Sequence, residues 1–431
     1  MRWERFELEK SPWGVDRALQ AIVRVAYERT SGYPRLLKDA RRAVSAVRVL
    51  DGLPIVDKET LFRRFATSDV LRSGVKLNHC IRTGTSGSTG LPLNVYMSRT
   101  EALFRRVLLF RAWRRLSHLP WPLRVADVGG WVEAESKAGV RTGPWGQVVR
   151  ISIALPAEEQ VHLLERCRPS VLSGYPTAIS VLAEAFRRVA GRVSTLMLIA
   201  TRGEILHADT RSLLEETFAC RVADFYNSEE IGNIAWECPD DPSSMHVNTD
   251  ACVLEIVDEK GMPLPSGSEG RIIVTNLYNR TMPFVRYDLH DRGTMLLPGE
   301  GRCSCGSQAP KIAVLQGRDD DYVCLPDGRR VSPRLIATGV NRAFDGLSPQ
   351  GGIDRHFRRF QVVQDAPDHL TIRVIPEPGR SHDFRSVIEP MLRRIHGDLK
   401  CSVEIVEELP LDSSGKFKKV IRNLASEQPE L

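Results

Sequence analysis

Strands and helices alternate between residues 123 and 224, and this alternation restricts the fold more than any other feature of the sequence. Short apolar runs predict strands at Leu123–Asp127, Val148–Ile153, Val171–Ser173 and Thr195–Ala200, and helical periodicity predicts helices over 157–167, 176–190 and 208–218. Such alternation is typical of an α/β layered core. Ligands in such folds bind at the carboxyl ends of the strands, where Ser173–Pro176 and Thr201–Glu204 supply turns.

A glycine-rich stretch, Thr-Gly-Thr-Ser-Gly-Ser-Thr-Gly-Leu-Pro, occupies residues 83–92. Glycine lets the backbone turn sharply and approach an anion, and backbone N–H groups and hydroxyls can then donate to phosphate oxygens. The stretch lacks the Gly-Lys-Ser/Thr of a Walker A loop, and its G-x-x-G-x-x-G spacing differs from the dinucleotide-binding fingerprint. Composition alone therefore leaves a phosphate-binding loop and an ordinary flexible loop as equal alternatives.

The remaining chain divides into a helical beginning, a β-rich middle and a separate end. Apolar spacing predicts helices at Ala18–Glu28, Leu36–Val49 and Thr100–Arg115, the last with a solvated face of arginines. Strands are predicted at Val253–Val257, Gly270–Thr275, Pro283–Tyr287 and Thr294–Leu297. Composition changes at Gly317–Asp321. Beyond it, a small α+β domain is predicted from strands at Phe360–Gln364, Leu370–Ile375 and Ser402–Val406 and a helix over Phe384–His396.

Two adjacent carboxylates, Glu229 and Glu230, follow a short strand within the segment Asp224–Gly232. Carboxylates on a turn after a strand suit magnesium binding or proton transfer. A solvated acidic turn is the alternative, and on this pattern alone it is the more frequent one.

Composition and charge are those of an ordinary globular protein, with 431 residues, 42% hydrophobic and 26% charged, and a net charge of +6. The absence of a long Lys/Arg run disfavours nucleic-acid binding. Residues 1–5 lack the apolar core of a signal peptide, and no apolar run approaches the length of a membrane span. Nine scattered cysteines fit a reducing compartment. We therefore expect a cytoplasmic protein with no membrane span.

Five motifs, in their order along the chain, resemble those of the adenylate-forming acyl-ligase superfamily, and specifically phenylacetate–coenzyme A ligases and their capsule-biosynthesis relatives. The motifs are Thr85–Pro92, Tyr226–Glu230, Tyr287–Asp291, Gly317–Asp320 and Pro410–Lys416. The sequence departs from the family pattern at Asn227, which replaces a glycine, and at Glu229, which replaces a threonine. Which of Glu229 and Glu230 would bind magnesium therefore stays open.

The resemblance, which covers most of the chain from about residue 80, implies a fold, ligands and residue roles. The fold would be a large N-terminal α/β core over residues 1–316, with a β-rich subdomain, a hinge over 317–321 and a mobile α+β lid domain over 322–431. The ligands would be ATP, Mg²⁺ and coenzyme A. Glu230 would bind magnesium, Lys416 would bridge the substrate carboxylate and the α-phosphate, and Asp320 would be the pivot. The implied ATP- and AMP-binding residues are Thr85, Ser86, Gly87, Ser88, Thr89, Gly90, Tyr226, Asp291 and Arg318.

A structural zinc site is also implied by the resemblance. Relatives carry zinc at positions that match Cys238, His246, Cys303 and Cys305. Three thiolates and an imidazole suit a closed tetrahedral site, although a C-x-C pair with a distant Cys-x7-His is unusual spacing. Such a site would staple two segments of the N-terminal core.

The leading functional hypothesis is a ligase that activates an aryl or other hydrophobic carboxylic acid as an acyl-adenylate, releases pyrophosphate and transfers the acyl group to coenzyme A. Tyr175, Tyr226 and Trp236 would surround the acid pocket, although a role in the core is equally open for Trp236. An amine, a sugar or a carrier-protein thiol stays open as the acceptor, because nothing in the sequence identifies a coenzyme A site. A non-catalytic nucleotide-binding protein is the remote alternative. The sequence leaves open whether two copies form a homodimer.

Overall fold

The computed structural model describes residues 15–36, 50, 52–84, 93–129, 138–143, 146–153, 155–191, 193–296, 303–313, 322–327, 330–331, 336, 340, 357–377, 383–395, 399–410 and 417–424. The helices in these ranges are α1 (Val15–Arg29), α2 (Tyr33–Leu36), α3 (Lys58–Arg64), α4 (Thr67–Val70), α5 (Arg99–Leu116), α6 (Ala157–Cys167), α7 (Pro176–Arg188), α8 (Ala208–Phe218) and α9 (Phe384–Ile395).

The strands as far as residue 247 are β1 (Ile81–Gly84), β2 (Asn94–Met97), β3 (Leu123–Gly129), β4 (Ala138–Gly143), β5 (Gly146–Ser152), β6 (Val171–Gly174), β7 (Leu198–Arg202), β8 (Arg221–Ser228), β9 (Gly232–Cys238) and β10 (Asp241–Val247). Those that follow are β11 (Cys252–Val257), β12 (Glu269–Asn276), β13 (Tyr287–Thr294), β14 (Lys311–Ala313), β15 (Val323–Cys324), β16 (Arg330–Val331), β17 (Phe357–Ala366), β18 (His369–Pro376), β19 (Lys400–Ile405) and β20 (Val420–Arg422).

A nine-stranded sheet in the order β14-β10-β9-β8-β7-β6-β3-β5-β4 forms the centre of the larger domain. Its strands β5, β3, β6, β7 and β8 run parallel, and antiparallel strands extend both edges. The carboxyl ends of the parallel strands therefore lie along one edge of the sheet, where α/β folds bind their ligands.

Helices cover both faces of this sheet because successive residues of its strands point in opposite directions. Ala126 and Val128 of β3 pack on the face covered by α6, α7 and α8. Leu123 and Val125 of the same strand pack on the face covered by α5. The α/β layered core predicted from the alternation is confirmed, and α6 and α8 have the predicted bounds.

A three-stranded antiparallel sheet, β11-β12-β13, forms the predicted β-rich region, but its last strand lies between the two segments predicted as strands. The charged segment Tyr287–Thr294 is the strand, rather than the more apolar segments predicted on either side of it. Arg286 has a φ of 47°, which interrupts an extended backbone just before Tyr287. The apolar residues Phe284 and Val285 are buried without being part of a strand.

The hairpin of β1 and β2 places Gly84 opposite Asn94, and the glycine-rich segment 85–92 that joins them lies outside the described residues. The prediction of a helix over residues 36–49 also falls almost entirely outside them. The α1 helix confirms the predicted helix over 18–28.

A separate C-terminal domain has a four-stranded sheet in the order β19-β18-β17-β20, with α9 packed against it. Phe360, Ile372 and Leu392 are fully buried in its own hydrophobic core. The three strands and one helix predicted for this region are confirmed, each extended or shortened by a few residues. Across the described ranges of the chain, no helix has the length and apolar character needed to cross a bilayer.

Candidate functional site

Glu230 lies in the tight turn between β8 and β9, and it is buried, with 8% of its surface exposed. The Tyr287 hydroxyl, at the start of β13, donates a hydrogen bond to Glu230 Oε1 at 3.1 Å. The Tyr287 ring is itself buried and packs edge-on against Phe284, with ring centroids 5.1 Å apart. Burial raises the pKa of Tyr287 well above its usual value, and the Glu230 carboxylate raises it further, so the hydroxyl remains a donor.

A second tyrosine and a second carboxylate make the reciprocal contact between the same two segments. The Tyr226 hydroxyl, on β8, donates to Asp291 Oδ2, on β13, at 2.6 Å. Each segment therefore has a tyrosine followed four residues later by an acid, and each tyrosine bonds the acid of the other segment. Hydrogen bonds to ionised carboxylates are stronger than neutral ones, so the two contacts hold Glu230 and Asp291 in a defined arrangement.

The turn that carries Glu230 is also held by an arginine on α5. Arg105 Nη1 donates to the Glu229 carbonyl at 2.8 Å, and Nη2 donates to the Ser228 carbonyl at 3.1 Å. Arg111 of the same helix forms an ion pair with Asp250. The prediction that the arginines of this helix form a solvated face is therefore wrong for Arg105 and Arg111.

Tyr175 lies at the carboxyl edge of the sheet, directly before α7, beside an arginine at the end of β7. The Arg202 guanidinium is 5.9 Å from the Tyr175 ring centroid. It forms an ion pair with Asp127 of β3 and donates from Nε to Ser173 Oγ at 3.3 Å. Burial raises the pKa of the Tyr175 hydroxyl, and the positive charge of Arg202 opposes this rise. The side chains from β3, β6 and β7 thus converge where the sequence predicts a ligand.

Trp236 lies in the core, which is one of the two alternatives that the sequence left open for it. It belongs to the buried cluster between the large sheet and α5, with 5% of its surface exposed. Its ring lies 5.8 Å from the ring of His246, and the Arg115 guanidinium lies 5.9 Å away. The structure gives Trp236 a packing role, and its contacts do not support a place in the acid pocket.

The four predicted zinc ligands come together at the end of the large sheet. Their ligand atoms all lie within 4.8 Å of one another. Cys238 Sγ is 3.5 Å from Cys303 Sγ, and His246 Nε2 is 3.1 Å from Cys305 Sγ. Ligands at about 2.3 Å (sulfur) and 2.0 Å (nitrogen) around tetrahedral zinc are separated by comparable distances, so the donor set fits that ion.

The surroundings of His246 favour the ring orientation and the neutral form that metal binding requires. His246 Nδ1 lies 3.2 Å from the Ala309 carbonyl, so an N–H at this position would donate to it and leave Nε2 directed at the cysteines. Burial lowers the pKa of His246, which favours the neutral imidazole that binds metals. Lys311 Nζ lies 3.8 Å from Cys303 Sγ and supplies positive charge beside that sulfur.

The C-terminal domain contacts the core at the same edge of the sheet as Tyr175. The Glu204 carboxylate, in the turn after β7, accepts from the Phe417 backbone N–H at 2.8 Å and from the Thr177 N–H, in the first turn of α7, at 3.1 Å. Lys419 Nζ lies 2.9 Å from Asp209 Oδ2, at the start of α8. Phe417 directly follows Lys416 in the chain, so these contacts bring the segment after Lys416 to this edge.

Several predicted residues lie outside the described ranges. They are Thr85, Ser86, Gly87, Ser88, Thr89, Gly90, Arg318, Asp320 and Lys416. Three further residues contribute to the site without being among the predicted site residues, namely Arg105, Tyr287 and Glu204. The sequence does carry a signal for Tyr287, because its motif repeats the tyrosine-to-acid spacing of Tyr226–Glu230. Arg105 and Glu204 have no such local signal.

The sequence is similar to those of phenylacetate-coenzyme A ligases and of protein CapK. A family model described as the CapK C-terminal domain matches residues 341–423. The chain is 28% identical over 450 residues to the phenylacetate-coenzyme A ligase of Thermus thermophilus, which covers 96% of this chain and 98% of that protein. It is 21% identical over 375 residues to protein CapK of Staphylococcus aureus, which covers 83% of this chain and 79% of that protein.

Solved structures of acid–CoA ligases share the fold. The 2-hydroxyisobutyryl-CoA ligase in its postadenylation state matches with a TM-score of 0.75 and 18% identity, over 95% of this chain and 89% of that chain. The same ligase in the thioesterification state, with 2-HIB-AMP and CoA, matches with a TM-score of 0.59 and 19% identity, over 95% of this chain and 88% of that chain.

Proposed function

We infer that this chain, a member of the adenylate-forming acid–coenzyme A ligase family that includes phenylacetate–coenzyme A ligases, activates a carboxylic acid with ATP and transfers the acyl group to coenzyme A. The reciprocal pairs Tyr226–Asp291 and Tyr287–Glu230 carry this proposal. In each pair, the tyrosine of one of the two tyrosine-to-acid motifs bonds the acid of the other motif, on segments separated by about sixty residues.

In the first half-reaction, a carboxylate oxygen of the acid attacks the α-phosphorus of ATP, and the bond to pyrophosphate breaks. Charge builds on the phosphoryl oxygens, so positioning and electrostatics supply most of the catalysis. Magnesium, when bound, supplies positive charge to those oxygens. Glu230 fits as its ligand, because it offers a buried carboxylate oriented by Tyr287.

Asp291 is proposed to accept from the ribose hydroxyls of the nucleotide, oriented by the Tyr226 hydroxyl. Residues 85–90 are proposed to hold the phosphates through backbone N–H groups and hydroxyls. The acid is proposed to lie near Tyr175, whose ring is beside Arg202 at the carboxyl edge of the sheet. An aryl or other hydrophobic acid remains the prediction from the sequence.

Lys416 is proposed to bridge the substrate carboxylate and the α-phosphate. The contact between Glu204 and the Phe417 N–H supports this role, because it holds the next residue of the chain beside α7. In the second half-reaction, the thiolate of coenzyme A attacks the acyl carbonyl carbon and AMP leaves. A rotation of residues 322–431 about Asp320 would remove Lys416 before this step.

Zinc is proposed to be structural, held by the four residues Cys238, His246, Cys303 and Cys305. The fit of four donors with no fifth ligand in the described residues is typical of a closed site. When bound, the ion would tie β9 and β10 to the segment before β14.

The test is pyrophosphate release from ATP and Mg²⁺ across a panel of aryl, acyl and amino acids, each with and without coenzyme A. Acid-dependent release that turns over repeatedly only with coenzyme A is expected. Release limited to about one equivalent per enzyme with coenzyme A present would point to another acceptor. No release with any acid, together with no binding of ATP, would contradict the proposal.

Lys416→Ala provides the matching variant. Loss of one electrostatic donor from such a site typically lowers the rate by about 10²–10³. We expect this loss in adenylation, with thiolysis of a supplied acyl-adenylate retained. Normal adenylation by the variant would show that Lys416 does not have this role.

A further inference from the structure

Arg105 contacts the acidic turn through three separate groups. Its guanidinium donates to the backbone carbonyls of Ser228 and Glu229, at 3.1 and 2.8 Å, and Nη2 lies 3.5 Å from Glu229 Oε2. The planar fork of an arginine can span two consecutive carbonyls, which fixes the peptide planes directly before Glu230. The Arg105 side chain is 21% exposed, so these bonds are partly shielded from water.

The helix that carries Arg105 is itself anchored at its beginning. Ser98 and Glu101 form a capping box, in which Ser98 Oγ accepts the Glu101 N–H at 3.2 Å and Glu101 Oε2 accepts the Ser98 N–H at 2.6 Å. Glu101 also accepts from the backbone N–H groups of Arg280 and Thr281, at 2.8 and 3.1 Å. The guanidinium is therefore delivered from a fixed element.

The far side of the turn is held by a second set of bonds. Tyr278 Oη and Asn276 Nδ2 donate to the Ile231 carbonyl, at 2.7 and 3.3 Å. Gly232 has a φ of +91°, and a Cβ there would be 2.7 Å from Tyr278 Oη and 3.1 Å from Arg105 Nε. The turn thus accommodates Arg105 and Tyr278 only because residue 232 is glycine.

The charges around the turn make its two glutamates different. Glu229 is 46% exposed and forms an ion pair with Arg105. Glu230 is buried and receives a neutral donor, the Tyr287 hydroxyl, and in the part of the chain that the structure describes no cation pairs with it. A carboxylate that is already oriented but not neutralised is the better ligand for a divalent cation.

We propose that Arg105 is a positioning residue that fixes the 228–232 turn and neutralises Glu229, so that Glu230 alone serves the metal. This inference rests on the proposed function, because it assumes magnesium-dependent adenylation. It also assigns a purpose to the departure at Glu229, where the family carries threonine: the additional carboxylate is compensated by an arginine from α5.

The experiment compares Arg105→Met with Arg106→Met. Arg106 is the next residue on the same helix, is exposed and makes no ion pair or hydrogen bond within the described residues. Arg106→Met therefore removes the same positive charge as Arg105→Met without removing a contact to the turn. Loss of a group that orients a metal ligand typically weakens metal affinity by about 10–100-fold. We expect Arg105→Met to raise the Mg²⁺ concentration for half-maximal ATP–pyrophosphate exchange by about tenfold or more, and Arg106→Met to leave it unchanged.

Hydrogen exchange of the protein without nucleotide or metal supplies the second measurement. The Ile231 N–H donates to Ser228 Oγ at 3.1 Å, so it reports on the turn directly. Arg105→Met is expected to accelerate exchange in residues 228–232 without changing the exchange of β3 or β6. Arg105→Lys, which keeps the charge but cannot span two carbonyls, is expected to restore only part of the protection and of the Mg²⁺ response. It also serves if Arg105→Met does not fold.

Glu230→Gln separates this inference from the function on which it rests. If Glu230→Gln retains full ATP–pyrophosphate exchange activity, the assignment of magnesium to Glu230 is wrong, whatever the result for Arg105. If Glu230→Gln is inactive but the Arg105 variants match Arg106→Met in both measurements, the positioning role is overturned.

Discussion

The ion pair between Lys419 and Asp209 joins the C-terminal domain to the core, and its removal should affect only one half-reaction. Lys419 Nζ lies 2.9 Å from Asp209 Oδ2, with the two side chains 11% and 34% exposed. The Lys419 ammonium also lies 4.5 Å from the centroid of the Phe360 ring, within its own domain. Lys419→Met keeps most of the side-chain stem and removes the charge.

The magnitude follows from the partial burial of the pair. Exposed ion pairs contribute about 0–1 kcal/mol, whereas removal of one partner of a fully buried pair costs about 3–5 kcal/mol. For the partly buried pair of Lys419 and Asp209, we expect the loss of the charge to cost about 1–2 kcal/mol of docking free energy. This lowers the equilibrium constant for docking of the C-terminal domain by a factor of about 5–30.

The contribution of the Lys419–Asp209 ion pair depends on pH through the pKa of Asp209. Burial alone would raise the pKa of Asp209, but the attraction of Lys419 and His207 outweighs it and lowers the pKa to about 2. A depressed acid pKa contributes stability above its ordinary value and loses it only as the pH falls toward about 2. The difference in docking free energy between Lys419→Met and the native chain should therefore be constant near neutral pH and should become smaller with added salt.

The assay measures ATP–pyrophosphate exchange and thiolysis of a supplied acyl-adenylate in parallel. Arg373→Met is the control, since Arg373 pairs with Glu404 at 3.0 Å between two strands of the C-terminal sheet itself. Lys419→Met is expected to lower exchange by a factor of about 5–30 and to leave thiolysis at least as fast. The reasoning would be refuted if Lys419→Met showed the same ATP–pyrophosphate exchange as Arg373→Met, or if it lost adenylation and thiolysis equally.

Three further predictions concern stability and metal content. Tyr287→Phe removes the donor to the buried Glu230 carboxylate, so the free energy of unfolding in urea should fall by about 1–3 kcal/mol; an unchanged midpoint would show that the bond contributes nothing. Cys305→Ser should lose about one equivalent of zinc, measured by elemental analysis, and about 3 kcal/mol of stability, whereas Cys167→Ser, which lies outside the cluster, should keep its zinc. Burial raises the pKa of Asp224 from its ordinary 3.8 to about 7; the native state therefore holds a proton that the unfolded chain releases, and stability falls as the pH rises across that window. Asp224→Asn should remove this slope, and parallel stability curves for the two proteins would contradict the assignment.

Local pattern was sufficient for much of the fold. The helices α6 and α8 begin and end at the predicted residues because their apolar spacing and their flanking turns are properties of short segments. The same holds for the α/β core and for the C-terminal domain. Local pattern failed at β13, where polar residues such as Asp288, His290 and Arg292 form the strand. Burial by neighbouring elements, rather than the composition of the segment, decides that case.

The sequence by itself also determined which chemical groups are available to the site, including the four side chains proposed to bind zinc and the two tyrosine-to-acid motifs. Only the tertiary structure decided which group meets which. Tyr287 bonds Glu230 across 57 residues and Tyr226 bonds Asp291 across 65, and Arg105 reaches Glu229 across 124. Spacing within a motif is set by the local backbone, whereas contacts across such distances depend on sheet register and helix packing. For that reason Trp236, a plausible pocket residue by sequence, lies in the core, and Arg105, one of several arginines on a helix, reaches the turn that carries Glu230.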